Sequence, residues 1–263
     1  MTFENVFEPI VSGRLEVRLA RTEAEVEAAQ RLRYRIFCEE MGGKANAAVQ
    51  AQKRDFDEYD PYCHHLLVID REKQGDTRVV GTYRLLTREN MKPVGKFYTE
   101  TEYDITPLKK FTGPVLELGR SCVEAEYRTR PVIQLLWLGV GNFIAEKDIG
   151  LMFGCASFHG DDAEQHKIAL SFLYHYHLAP AEIRPRALPE QFVEMDRMAK
   201  EDISPKAVVR TVPPLIKGYL RVGGYVGDGA VLDHAYNTTD VSIVVQTDQV
   251  KQRYLERYVP DGE

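Results

Sequence analysis

Two charged residues interrupt an apolar, β-rich run: Glu117 and Arg120, three apart in PVLELGRSCV. A carboxylate placed inside such a run can take a proton from a reacting group. A guanidinium beside it can hold an anion through two parallel N–H donors. The same residue types recur upstream: Asp57 and Asp60 in DFDEYDPYCHH, Arg84 in GTYRLL and Arg33 in RYRIF. Downstream, Arg128-Thr129-Arg130-Pro131 makes a basic turn ahead of an unusually apolar segment. The first N–H groups of a helix have no internal partner, so strand, basic turn and helix start together form an anion-binding arrangement. Each feature also has a plain structural explanation. Glu117 and Arg120 fit an ion-pair network, DEYDP an Asx-rich turn, and Arg33 a solvated helix face. In HGDDAEQH, the group His159, Asp161, Asp162 and His166 reads as a helix cap, so no metal site is expected. Cys122 reads as a small buried residue, and no G-x-S-x-G elbow exists.

The elements that must carry these groups follow from periodicity. Residues 14–20 alternate apolar and charged side chains, the mark of a half-buried strand. Thr22 followed by Glu25 matches a capping box and predicts a helix to about Glu40, with Leu32, Ile36 and Phe37 on its buried stripe. Arg31, Arg33 and Arg35 are then left to solvent or a ligand. Residues 41–63 form a long polar loop, a type that is usually functional or mobile. Strands over 65–70 and 78–87, separated by the turn signal EKQGD, read as a hairpin. After the apolar helix come a strand over 151–157, a helix over 161–176, an irregular Pro-rich stretch over 177–210, a strand at VSIVVQT and a final helix near 248–258. Strand–helix–strand–helix order implies a parallel pair within an otherwise antiparallel sheet. Residues 1–263 read as a single domain with a C-terminal extension from about 177.

Composition narrows the class. A net charge of −6 argues against a general nucleic-acid binder. Cys38, Cys63, Cys122 and Cys155 are widely spaced, which indicates neither a disulfide framework nor a zinc module and fits a reduced, cytoplasmic setting. The start, MTFENVFEPIVSG, lacks a basic n-region and does not read as a signal peptide. The apolar run over 132–145 is shorter than the ~20 residues that span a bilayer.

The ordered set RYRIF, DEYD, GTYRLL and ELGRSCV resembles the acyl-homoserine-lactone synthases, which have the fold of the GCN5-related N-acyltransferases. The block PPLIKGYLRVGGYVGDGAVLDHAYNTTDV adds a closer resemblance, to the bacterial enzymes that load a 3-hydroxyacyl chain from acyl carrier protein onto ornithine. Together these matches cover roughly 15–247. The resemblance implies an α/β fold with a mixed, mostly antiparallel sheet, splayed at the central strand and flanked by helices. By the synthase pattern, Arg33 and Phe37 border the substrate cleft, and Asp57, Asp60, Arg84, Glu117 and Arg120 match the remaining charged positions. One departure stands out. The synthases carry a Trp six residues after that Phe, where this chain has Gly43. Losing it disfavours the bulky S-adenosylmethionine and favours a smaller amino acid.

The implied chemistry assigns roles. A thioester reacts with a neutral amine, yet an α-amine near neutral pH is largely protonated, so a base must act. Glu117 is the first choice, with Asp57 and Asp60 as rivals that would otherwise bind the cationic groups of the amino acid. Arg84 or Arg120 suits its carboxylate. The related fold has a strand bulge that supplies an oxyanion donor worth ~3–4 kcal/mol, and Cys122 or Val123 is the candidate N–H. Tyr174 or Tyr176 is the analogue of a proton donor to the departing thiolate. The basic turn lacks the family's R-x-x-G-x-G glycines, and Pro131 has no N–H, so phosphate binding would rest on the Arg128 and Arg130 side chains. That suits acyl carrier protein as partner, with no bound cofactor beyond the 4'-phosphopantetheine the carrier brings. Leu135, Leu136, Trp137 and Phe153 would line the fatty chain or simply form core. A single-chain lipid product implies at most peripheral contact with the inner membrane surface. Three alternatives remain: acylation of another amino acid such as glutamine, acyl-homoserine-lactone synthesis, or a non-enzymatic carrier-binding module.

Overall fold

A computed structural model of the chain describes residues 3–128 and 130–248, without the side chain of Arg130. Within them the chain packs as two compact units: residues up to Phe97 with Leu116–Asp148, and Tyr98–Val115 with residues from Ile149 on.

The first unit is an antiparallel sheet in the order β1 (Ile10–Ser12), β2 (Leu15–Leu19), β3 (His64–Asp70), β4 (Val79–Thr87) and β6 (Val115–Val123). Helix α1 (Glu23–Tyr34) starts at Thr22, whose hydroxyl accepts from the Glu25 N–H at 3.3 Å. It runs on into a π-helical turn over Arg35–Glu40. The long polar loop is broken by α2 (Ala47–Gln52), capped by Asn46, and α3 (Arg88–Met91) follows β4. Helix α5 (Arg130–Glu146) opens at the basic turn, as its composition predicts.

Because side chains alternate along a strand, the two faces of this sheet differ in character. Leu67, Ile69 and Cys122 pack with Val26, Ala29 and Leu32 of α1. The intervening positions face α5: the His64 ring lies 5.1 Å from Phe143, and a Cβ on Gly139 would meet Leu66 and Val17 within 3 Å. Glycine at 139 is what lets α5 approach so closely.

The second unit is built on β7 (Leu151–His159), β10 (Thr238–Gln246) and β9 (Tyr225–Asp233), paired antiparallel. Beyond β9, β8 (Arg186–Ala187) pairs parallel and β5 (Tyr103–Asp104) antiparallel to β8, so this sheet is mixed. Tyr103 is buried and donates to the carbonyls of Gly229 or Asp240 at 3.1 and 3.0 Å. Helices α4 (Thr106–Lys109), α6 (Lys167–His177), α7 (Pro205–Thr211) and α8 (Pro214–Arg221) complete it. Helix α6 begins six residues later than the sequence predicts, because Asp162 closes an Asx turn on the Glu164 N–H at 3.0 Å. The stretch read as irregular, 177–210, contains β8 and most of α7. The helix expected near 248–258 lies outside the described residues.

Candidate active site

In the first unit three guanidinium groups and three carboxylates meet on the α1 face of the sheet. Cross-strand pairing places them: His65 lies opposite Arg84, and Arg84 opposite Gly119, so all three point the same way. Glu117, two residues before Gly119 and opposite Leu86, shares that face and is 5% exposed.

Arg120 should not share it, because an odd spacing from Glu117 puts two residues on opposite faces of a regular strand. A bulge resolves this. Thr82 pairs with Cys122 and Arg84 with Gly119, so Tyr83 alone opposes both Arg120 and Ser121. Arg120 adopts φ of 53°, left-handed backbone that costs a non-glycine residue about 1–2 kcal/mol. Its guanidinium then reaches to 3.5 Å from both Asp55 and Asp57.

Arg33, from α1, is 1% exposed and anchors the network. It binds Asp60 with two nitrogens at 2.8 and 2.9 Å, and Asp55 through Nε at 2.8 Å. Arg84 Nη1 sits 2.7 and 2.8 Å from the two oxygens of Asp57, with its guanidinium 5.6 Å from the Tyr59 ring centroid. The Asp57–Asp60 turn ties itself: Tyr59 N–H donates to Asp57 Oδ1 and Asp57 N–H to Asp60 Oδ2, both at 2.9 Å. The Asx turn and the charged cluster are thus one structure. Of the three acids, Asp57 is the most open, with 24% of its side chain exposed.

Burial sets the protonation states. For Asp60, burial opposes charge, but Arg33 and Arg84 outweigh it and hold the carboxyl far below its usual range. Arg33 and Arg84 bear the same desolvation cost, yet the surrounding acids hold both firmly cationic. His65 goes the other way. Burial lowers it to about 4, so it is neutral near pH 7. Its Nε2 lies 3.0 Å from the Asp60 carbonyl, which can only accept, so the proton sits on Nε2. The Tyr59 phenol is pushed up to about 12 by burial and then by the Glu117 charge, which brings Glu117 within the field of the cluster.

The other residues selected from the sequence sit elsewhere. Phe37 lies in the π-helical turn, partly buried against the α1 core. Cys122 and Val123 are back in register opposite Thr82 and Gly81, so the unpaired bulge backbone belongs to Arg120 and Ser121 instead. Burial raises the Cys122 thiol to about 12, which leaves no thiolate for nucleophilic attack. Arg128 is exposed and paired with both oxygens of Glu40 at 2.5 and 2.7 Å. Arg130 opens α5, and its side chain lies outside the described atoms. Tyr174, on α6 of the second unit, is half-buried with its ring 5.4 Å from that of His175, and Tyr176 is exposed. Leu135, Leu136 and Phe153 are buried core. Asp161 pairs with His234 at 2.7 Å rather than capping α6. Sequence reasoning missed Asp55 and His65. Both stand in the quoted DFDEYDPYCHH, but the resemblance to the synthases places the acidic pair at Asp57 and Asp60 and gives Asp55 and His65 no role.

Comparison with known proteins gives a consistent result. A family model described as an acetyltransferase (GNAT) domain matches residues 32–138. The L-ornithine N(alpha)-acyltransferase of Agrobacterium fabrum is 45% identical over 259 residues, 95% of this chain and 87% of that protein. The protein of the same name from Rhizobium meliloti is 46% identical over 258 residues, covering 95% and 86%. That from Rhodobacter capsulatus is 42% identical over 245 residues, covering 92% and 94%. Among solved structures, an N-acyl amino acid synthase from uncultured soil microbes superposes with a TM-score of 0.52 at 10% identity, over 97% of this chain and 100% of that one. At that identity the likeness establishes the fold alone.

Proposed function

The chain belongs to the L-ornithine N(alpha)-acyltransferase family, and from that premise we propose that it moves a 3-hydroxyacyl chain from acyl carrier protein to the α-amine of L-ornithine. The amine nitrogen forms a bond to the thioester carbon, the C–S bond breaks, and the amine proton passes to a base while the pantetheine thiolate leaves. The observation that carries this reading is the shared face of Glu117, Arg84, Arg120 and Asp57. A buried carboxylate three positions before a strand bulge suits proton removal beside the bulge N–H groups of Arg120 and Ser121. Asp57 and Arg120, at the open edge of the network, suit the cationic and carboxylate groups of an amino acid. Arg33, closed off by Asp55 and Asp60, braces the loop that carries Asp57.

The donor's phosphopantetheine arm supplies the cofactor chemistry, so the protein itself needs none. Among the described residues no helix is long and apolar enough to cross a membrane. We propose a cytoplasmic reaction beside the inner membrane surface, with peripheral contact at most, since a single acyl chain gives its product only weak, reversible membrane affinity.

Mass spectrometry of products, after incubation with 3-hydroxyacyl-carrier protein and each amino acid plus ornithine, tests this reading. The expected product is Nα-(3-hydroxyacyl)ornithine. Acylated glutamine or a lactone from S-adenosylmethionine would reassign the acceptor, faster turnover with acyl-coenzyme A would reassign the donor, and carrier binding without turnover would make the protein a binding module. Glu117→Gln should bind acyl carrier protein normally while kcat/KM falls ~10²–10⁴-fold.

A further inference from the structure

Asp55 is closed off from solvent, at 3% exposure, yet its carboxylate lies between two parts of the candidate site. Its backbone is already fixed to α1, since its N–H donates to the Gln30 carbonyl at 3.0 Å and its own carbonyl accepts from Arg33. Its side chain goes further. Oδ2 lies 2.8 Å from Arg33 Nε on α1 and 3.5 Å from Arg120 Nε on the bulge of β6. Arg33 donates two further bonds to Asp60, so it does not depend on Asp55 alone for countercharge. Arg120, by contrast, sits in costly left-handed backbone that persists only where its surroundings enforce it.

We infer that Asp55 is a positioning residue: its carboxylate, shared between the helix and the bulge, sets the orientation of Arg120 and of the bulge backbone that faces the reacting thioester. The inference rests on the reading of this face as the acyl-transfer site. Asp57 also holds Arg120, from the more open side. Asp55 supplies the buried hold, and with it a rigid link from α1 to the strand.

The experiment compares Asp55→Asn in the wild-type and Arg120→Gln backgrounds, with kcat/KM for ornithine, KM for acyl carrier protein and thermal stability measured for each. Displacing a site group by ~1 Å costs about 10²-fold in rate, so D55N should lose activity of that order with donor KM unchanged. In the R120Q background the same substitution should cost less than about threefold, because the residue it positions is gone. A similar loss in both backgrounds, or no loss in either, would overturn the inference and make Asp55 a structural partner of Arg33 only. Where D55N does not fold, Asp55→Glu keeps the charge on a longer arm, and the same rule applies: a loss confined to the Arg120 background supports the inference, and any other pattern rejects it. A wild-type protein that leaves ornithine unacylated rejects the functional reading itself, a separate result visible without any variant.

Discussion

Neighbouring strands of the first unit present two faces that answer different demands. Toward α5 the residues are Val17, Leu66, Val68 and Gly81, with one histidine, His64, held against Phe143. Toward α1 the same strands offer Arg18, His65, Arg84, Glu117 and Arg120 beside the apolar Leu67, Ile69 and Cys122. His64 and His65 are adjacent, equally buried, and both lowered to about 4 chiefly by burial, yet one packs on a phenylalanine ring and the other donates into an ion network. The comparison separates what burial does from what function requires. Burial is the main cause of the neutral state of both histidines, while the α1 face also carries the desolvation cost of charges, which natural cores avoid unless they are paired.

The largest test of that contrast is Arg33→Ala. Removing this guanidinium leaves the buried Asp55 and Asp60 with the more distant Arg120 and Arg84 as countercharge and should cost about 3–5 kcal/mol of stability in chemical denaturation, with loss of activity. Retention of wild-type stability would show that water or rearranged partners already screen the network. Next comes Gly139→Val on the opposite face. A Cβ there would lie 2.7 Å from Leu66 Cδ1, so overpacking should cost about 1–3 kcal/mol. Activity per folded molecule should nonetheless stay within about twofold. A selective loss of turnover would mean the apolar face is coupled to the charged one.

The third test is pH dependence. His64 and His65 are neutral in the native state down to about pH 4 but bind protons from about 6.5 in the unfolded chain. Their stabilisation is therefore fully present above pH 6.5 and is lost as pH falls toward 4, by up to ~1.4 kcal/mol per pH unit for each histidine. His64→Gln and His65→Gln should each flatten denaturation midpoints measured across that window. Asp60, depressed in the native state, adds a loss of the same sign only below its unfolded value near 3.8, so the two contributions separate on the pH axis.

Much of the fold is legible in local sequence patterns. Thr22 and Glu25 mark the start of α1, the turn signal EKQGD between the runs over 65–70 and 78–87 marks β3 and β4, and the apolar run after the basic turn marks α5. These signals are local, set by caps and by side-chain period, and they survive into the tertiary structure because packing reinforces them. The charged positions Arg33, Asp57, Asp60, Arg84, Glu117 and Arg120 can also be picked out in order, though not what each one touches. By pattern Arg33 reads as a solvated face residue, and it is instead among the most buried side chains of the chain. Whether a helix position meets water depends on a loop 22 residues further along, the Asp55–Arg33 separation, and no local pattern encodes that pairing.

The amino-acid sequence by itself determined the main elements of the first unit, the family and the inventory of charges, because propensity, capping and motif order act over a few residues at a time. Only the tertiary structure decided that Glu117 and Arg120 lie on one side of a strand. Their odd spacing says the reverse, and it takes a bulge, left-handed backbone at Arg120 and acids delivered from a distant loop to turn that guanidinium around.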